Sequence, residues 1–132
     1  FVGTAAVADY RAAQVNGKKI KKKTDTLALH LTKTTDILSA VRAKHPKLFM
    51  VGFAAETEKL AQNAREKLAK KKLDLVAANL VGNGKAFDRD DNELQLFWKN
   101  GTRKLRKAAK TDLARDLARK ITEMIGTRLR PF

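Results

Sequence analysis

Three short apolar runs do most to limit the folds open to this chain: FVGTAAVA at residues 1–8, LFMVGFA at 48–54 and DLVAANL at 74–80. Each is apolar on both faces, which is how strands read when a parallel sheet is covered on both sides. The segments between them carry helical patterns. In DILSAVRAK (36–44), Asp36 stands where a helix cap is wanted, Ile37, Leu38 and Val41 face inward, and Pro46 follows the end. TEKLAQNAREKLAKKKL (57–73) has Thr57 as its cap, an inner stripe of Leu60, Ala64 and Leu68, and lysines in its last turn. Strands alternating with helices imply a three-layer α/β sandwich with a mainly parallel sheet.

The other segments decorate that plan. Residues 9–24 read as a polar, basic loop. TLALHLTK (26–33) alternates, with Leu27, Leu29 and Leu31 on one face of a half-buried strand and His30 on the other, exposed and without a histidine or cysteine partner nearby. A Gly-, Asp- and Asn-rich loop spans 82–92. ELQLFWKNGTRKLRKA (93–108) reads as an antiparallel edge hairpin turning at Asn100-Gly101. TDLARDLARKITEMIGTRL (111–129) reads as an amphipathic helix with Leu113, Leu117 and Ile121 inward. The chain opens in a strand-like run without an initiating methionine, which reads as a piece of a larger domain, incomplete at its N-terminus.

Charge and composition narrow the chemistry. The 132 residues hold 29 Lys and Arg against 14 Asp and Glu, a net charge of +15 that predicts polyanionic partners. No apolar run approaches the roughly 18 residues of a membrane span. Zero cysteines exclude thiol chemistry and suit a cytoplasmic protein. Two histidines serve metal clusters and Ser-His-Asp triads poorly, and neither the dinucleotide fingerprint nor the P-loop is present. Carboxylates, amides and lysines are left, a set that suits polyphosphate.

Ligands of open α/β sheets bind beyond the carboxyl ends of the parallel strands. Asp9, the segment from Phe53 to Glu56, and Asn79 all fall there. Read singly, each has a plainer meaning. Asp9 is a solvated strand-end carboxylate, Phe53 a core aromatic, and Lys18 to Lys23 a charged loop. Lys67 and Lys71, four apart on one helix face, complement the helix dipole.

The order of the motifs changes that reading. AAVADYRAA, KIKK, DIL, VGFAAET, AREKLAKKKLDLVAAN and DDNELQLF follow one another from about Gly3 to Phe97. Together they resemble bacterial phosphopantothenoylcysteine synthetase, the phosphopantothenate–cysteine ligase of coenzyme A synthesis. The resemblance implies a Rossmann-like fold, with residues 1–132 forming the C-terminal part of one synthetase domain. It implies phosphopantothenate, cysteine and CTP as substrates, Mg²⁺ as the accompanying ion, a homodimer, and a possible fusion to a flavin-dependent decarboxylase. It implies no nucleic-acid partner and no membrane.

Carried onto this sequence, the nucleotide contacts fall on Gly3, Thr4, Ala5, Asp9, Lys19, Thr35, Asp36, Ile37, Leu38, Phe53, Lys67 and Lys71. Lys19, first of KIKK, takes the catalytic role of turning over an acyl-cytidylate; no metal-ligating residue is implied. Thr35 stands where the family usually has proline, and Leu80 where it often has aspartate. The rival reading is a basic nucleic-acid-binding module, which calls for aromatics interleaved with the basic residues. Phe49, Phe53, Phe97 and Trp98 instead sit in apolar strand patterns.

Overall fold

Two six-residue strands form the centre: β4 (Val51–Glu56) and β5 (Leu75–Leu80) pair in parallel from Val51↔Leu75 to Glu56↔Leu80. The computed structural model describes residues 1–21, 25–82 and 91–129. Its other elements are β1 (Val2–Gly3), β2 (Tyr10–Ala12), β3 (Leu31–Lys33), α1 (Ile37–Lys44), α2 (Leu60–Lys70), β6 (Asp91–Asn92), β7 (Gln95–Trp98), β8 (Gly101–Lys104), β9 (Ala108–Ala109) and α3 (Lys110–Leu129). The main sheet runs β1-β4-β5-β7-β8, with β1, β4 and β5 parallel and the β7–β8 hairpin antiparallel.

Period-two alternation divides the strand residues between two cores. Met50, Ala54, Val76, Ala78 and Phe97 pack with Ala64 and Leu68 of α2, and Leu38 and Val41 of α1 lie against them. On the other face, Val51, Leu75, Ala77 and Leu96 pack with Leu113 and Leu117 of α3. Helices on both faces of a mostly parallel sheet make the three layers, a Rossmann-like α/β fold. Among the described residues no helix is long and apolar enough to cross a membrane.

Asp74, just before β5, ties three elements together. Its Oδ2 accepts from Arg42 of α1 at 2.9 Å and from the Met50 amide at 2.8 Å, and its Oδ1 accepts from Arg128 of α3 at 3.2 Å. A carboxylate with three donors from separate elements fixes where both helix layers sit.

Several expectations need correction. The first strand is only Val2–Gly3; residues 4–9 leave the sheet because the Ala8 and Asp9 carbonyls take their hydrogen bonds from Thr34. The basic loop contains β2, which pairs with β3 as a separate antiparallel arm. Leu27, Leu29 and Leu31 are 68%, 65% and 57% exposed rather than half-buried, because the arm strands pair only with each other. Ile37 is also exposed. Helix α2 is capped by Lys59 in the left-handed region (φ 49°), not by Thr57; the Asn63 amide on Glu56 fixes the turn instead. Of the 82–92 loop, residues 83–90 lie outside the described residues, as do Lys22 and Lys23 of the lysine run.

The edge hairpin turns one residue earlier than expected. Trp98 pairs with Gly101, so Lys99 and Asn100 form the turn, and neither has a positive φ. Gly101 is needed for room: a Cβ there would lie 2.6 Å from Cζ2 of Trp98. Lys120 sits over the same indole ring at 4.4 Å and limits how far the ring can yield. Gly101→Ala should therefore destabilise the fold by about 1 kcal/mol through overpacking. Chemical denaturation checks this, and an unchanged midpoint would show that the ring moves freely.

Candidate functional site

The site is assembled where the arm rejoins the sheet. Thr34 closes the arm root, its amide donating to the Asp9 carbonyl at 2.9 Å and its hydroxyl to the Ala8 carbonyl at 2.6 Å. Two segments far apart in sequence are thereby held together, with Asp9 against Thr34. Asp36 then starts α1, its Oδ1 accepting from the Ser39 amide at 3.1 Å. The Ile37 and Leu38 amides belong to the first turn, where helix geometry supplies no intrahelical acceptor, the situation that suits an anion at a helix N-terminus. Gly3 completes this side: a Cβ there would lie 3.0 Å from Cδ2 of Leu38, so glycine lets α1 settle against the end of β1.

Helix α2 supplies the cations. Lys67 Nζ donates to the Phe53 carbonyl at 2.6 Å, near the middle of β4. Lys71, the C-cap residue of α2, forms an ion pair with Oδ2 of Asp36. The two lysines thus have different partners, one a neutral carbonyl and the other a carboxylate. The Lys71 side chain is 20% exposed, so water screens the pair only in part. A groove of about 600 Å³ adjoins it, lined in part by Ser39, Arg42, Lys70, Lys71 and Lys72.

The residues expected from the sequence are brought together unevenly. Gly3 meets Leu38, Asp9 is held by Thr34, Lys67 lies on Phe53 and Lys71 pairs with Asp36, as separate contacts, and Thr35 links Thr34 to Asp36 only along the chain. Thr4 and Ala5 continue exposed from the end of β1, and Ile37 is exposed on the first turn of α1. Lys19 is exposed on the arm, and among the described residues it makes no hydrogen bond or ion pair with this cluster. The Phe53 ring is half-buried against the α3-side core, as a core aromatic would be. Among the described residues no group of three or more His, Asp or Glu side chains gathers to hold a metal.

Two supporting residues went unread in the sequence. Asn63 donates to Glu56 Oε2 at 2.7 Å and to the Glu58 carbonyl at 3.3 Å, which sets how α2 leaves β4 and so where Lys67 falls. Thr34 makes the arm root. An Asn seven residues after a Glu is no signal until one is known to end a strand and the other to start a helix.

Comparison with known proteins agrees with this fold. Residues 1–125 match the family model for the DNA/pantothenate metabolism flavoprotein C-terminal domain. The chain is 48% identical over 124 residues to the coenzyme A biosynthesis bifunctional protein CoaBC of Haemophilus influenzae, covering 93% of this chain and 31% of that protein. Against the protein of the same name from Bacillus subtilis it is 39% identical over 125 residues, covering 93% and 31%. The chain therefore spans about a third of the length of these curated relatives. Among solved structures, a CoaBC C-terminal domain superposes with a TM-score of 0.71 at 29% identity, over 94% of this chain and 53% of that one. The flavoprotein of DNA/pantothenate metabolism from Streptococcus pneumoniae superposes with a TM-score of 0.66 at 25% identity, over 89% and 57%. With its family model matched over residues 1–125, the chain belongs to the DNA/pantothenate metabolism flavoprotein C-terminal domain family.

Proposed function

We propose that this chain is the nucleotide-binding part of a CTP-dependent phosphopantothenate–cysteine ligase acting in coenzyme A biosynthesis. The observation that carries the reading is the pairing of Lys71, at the end of α2, with Asp36 at the first turn of α1, while Lys67, one helical turn earlier, lies on the Phe53 carbonyl of β4. Two ammonium groups and free helix amides are what a triphosphate needs. The relatives' names supply the pathway.

In the proposed reaction the carboxylate of phosphopantothenate attacks the α-phosphorus of CTP. The bond to the β-phosphate oxygen breaks and pyrophosphate leaves, giving an acyl-cytidylate. The amine of cysteine then attacks the acyl carbon, the C–O bond to CMP breaks, the amine gives up a proton, and the amide remains. Activation is required because a carboxylate is a poor acyl donor and a mixed anhydride a good one. Negative charge grows on the departing phosphates, where fixed cations act on it most strongly.

The described carboxylates do not fit a protein cage for Mg²⁺, since no three gather. Magnesium usually reaches such sites on substrate phosphates with few protein ligands, and no step here is routed through it. We place the homodimer on the arm, whose exposed Leu27, Leu29 and Leu31 need a cover that a second copy would provide. The alternative edge, β8, exposes Arg103 and Lys104, and charged edges resist strand addition. A fused flavin-dependent decarboxylase and a cytoplasmic location complete the reading.

The intact protein, given CTP, phosphopantothenate and cysteine, should release pyrophosphate and form the amide. CTP at a hundred times its dissociation constant should stabilise the fold by about 2.7 kcal/mol, seen as a rise of several degrees in melting temperature. Pyrophosphate release that ignores phosphopantothenate, or a melting temperature that ignores CTP, would overturn the assignment.

A further inference from the structure

The two α2 lysines are occupied in different ways, and the difference has chemical consequences. Lys67 rests on a neutral carbonyl and keeps its whole charge for a ligand. Lys71 is neutralised by Asp36. Asp36 has a second task through its other oxygen, which caps α1 on the Ser39 amide. It therefore stays in place whether or not Lys71 leaves it.

We propose that Asp36 is an internal counter-ion for Lys71, displaced when a polyphosphate binds and restored when pyrophosphate departs. This deepens the ligase reading and rests on it only in taking polyphosphate as the ligand. A polyphosphate must win Lys71 away from a carboxylate that cannot diffuse off, so Asp36 lowers the affinity of every ligand that uses Lys71. Once the α–β phosphate bond is cleaved, the same carboxylate competes with pyrophosphate for the ammonium and speeds its exit. Ligands that do not reach Lys71 are untouched by the exchange. Lys67 anchors and Lys71 switches.

The test uses inorganic tripolyphosphate and pyrophosphate, titrated calorimetrically into the intact protein, with CTP as a third ligand. Asp36→Asn removes the charge and keeps the cap, since asparagine caps helices as well as aspartate does. It should bind tripolyphosphate and pyrophosphate about two- to fivefold more tightly, the range expected for releasing a partly exposed ion pair. Pyrophosphate should also become a stronger product inhibitor. In Asp36→Asn/Lys71→Gln the gain should vanish. Unchanged or weaker tripolyphosphate binding by Asp36→Asn overturns the proposal, as does a gain that survives Lys71→Gln. Should Asp36→Asn fail to fold, Asp36→Ser, with another good capping residue, carries the same titration. A protein that shows this pattern with tripolyphosphate yet neither binds CTP nor forms product keeps the exchange and loses the ligase reading. Turnover of CTP with unaltered tripolyphosphate affinity in Asp36→Asn does the reverse.

Discussion

Lys19→Gln should still release pyrophosphate from CTP and phosphopantothenate, yet form product on the order of a hundredfold more slowly once cysteine is added, the loss typical of removing one stabilising group from a developing anion. The reasoning starts from where the lysine sits. It lies on the arm, exposed, and makes no hydrogen bond or ion pair with the cluster of Asp9, Asp36, Lys67 and Lys71 among the described residues. On the proposed reading, first capture of the triphosphate falls to the α2 lysines, which are already held against β4 and α1. In the proposed reaction, a cation carried on the arm would contribute if the arm closed over the acyl-cytidylate, as the amine displaces CMP and charge returns to its phosphate. Glutamine keeps the reach and removes the charge. The mixed anhydride should accumulate and be visible by mass spectrometry after quenching. Product formation at the wild-type rate would leave the lysine run as a solvated loop.

The parts of the fold that could be read in advance are those where burial dictates residue type. Strands β4 and β5 are covered on both faces, so almost nothing but small and aliphatic residues fits, and that pattern has few other readings. The stripe of Ala64 and Leu68 in α2, and of Leu113 and Leu117 in α3, is equally direct. The failures share a different cause. Alternation at Leu27, Leu29 and Leu31 shows that one face is apolar but not what lies over it. Thr57 is a good capping residue, but the Glu56–Asn63 bond moves the helix start past it to Lys59. Gly101 suggested a positive φ, whereas its role is to leave space for the Trp98 ring. A glycine code does not distinguish freedom of the backbone from absence of a side chain.

The sequence could nominate members of the candidate site but not their pairings. Asp36 could be recognised as a cap from the residues beside it, because capping is local. Its pairing with Lys71 joins the start of one helix to the end of another across 35 residues, and only the packing of α1 and α2 on one sheet face brings them together. Likewise, the i,i+4 spacing put Lys67 and Lys71 on one face, but it carried no information that one would meet a carbonyl and the other a carboxylate.

That difference in partner sets the expected order of effects at the proposed phosphate site. Lys67→Ala should weaken CTP binding by about 1.5–3 kcal/mol, roughly 10- to 150-fold, the loss expected for a charge-assisted hydrogen bond in a partly buried setting. Lys71→Ala should cost less, because in the unliganded protein that lysine must first leave Asp36, and part of what it gains from phosphate is offset there. Both values come from titrating CTP into the intact variants. Lys67 also ties α2 to β4, so its removal leaves the Phe53 carbonyl without that donor, and a modest fall in melting temperature should accompany the binding loss. The two readouts separate the possible roles. A binding loss much larger than the stability loss places the ammonium on the triphosphate. A fall in melting temperature with CTP affinity intact would reduce Lys67 to a structural tie between helix and strand, and would remove the anchor on which the proposed phosphate site depends.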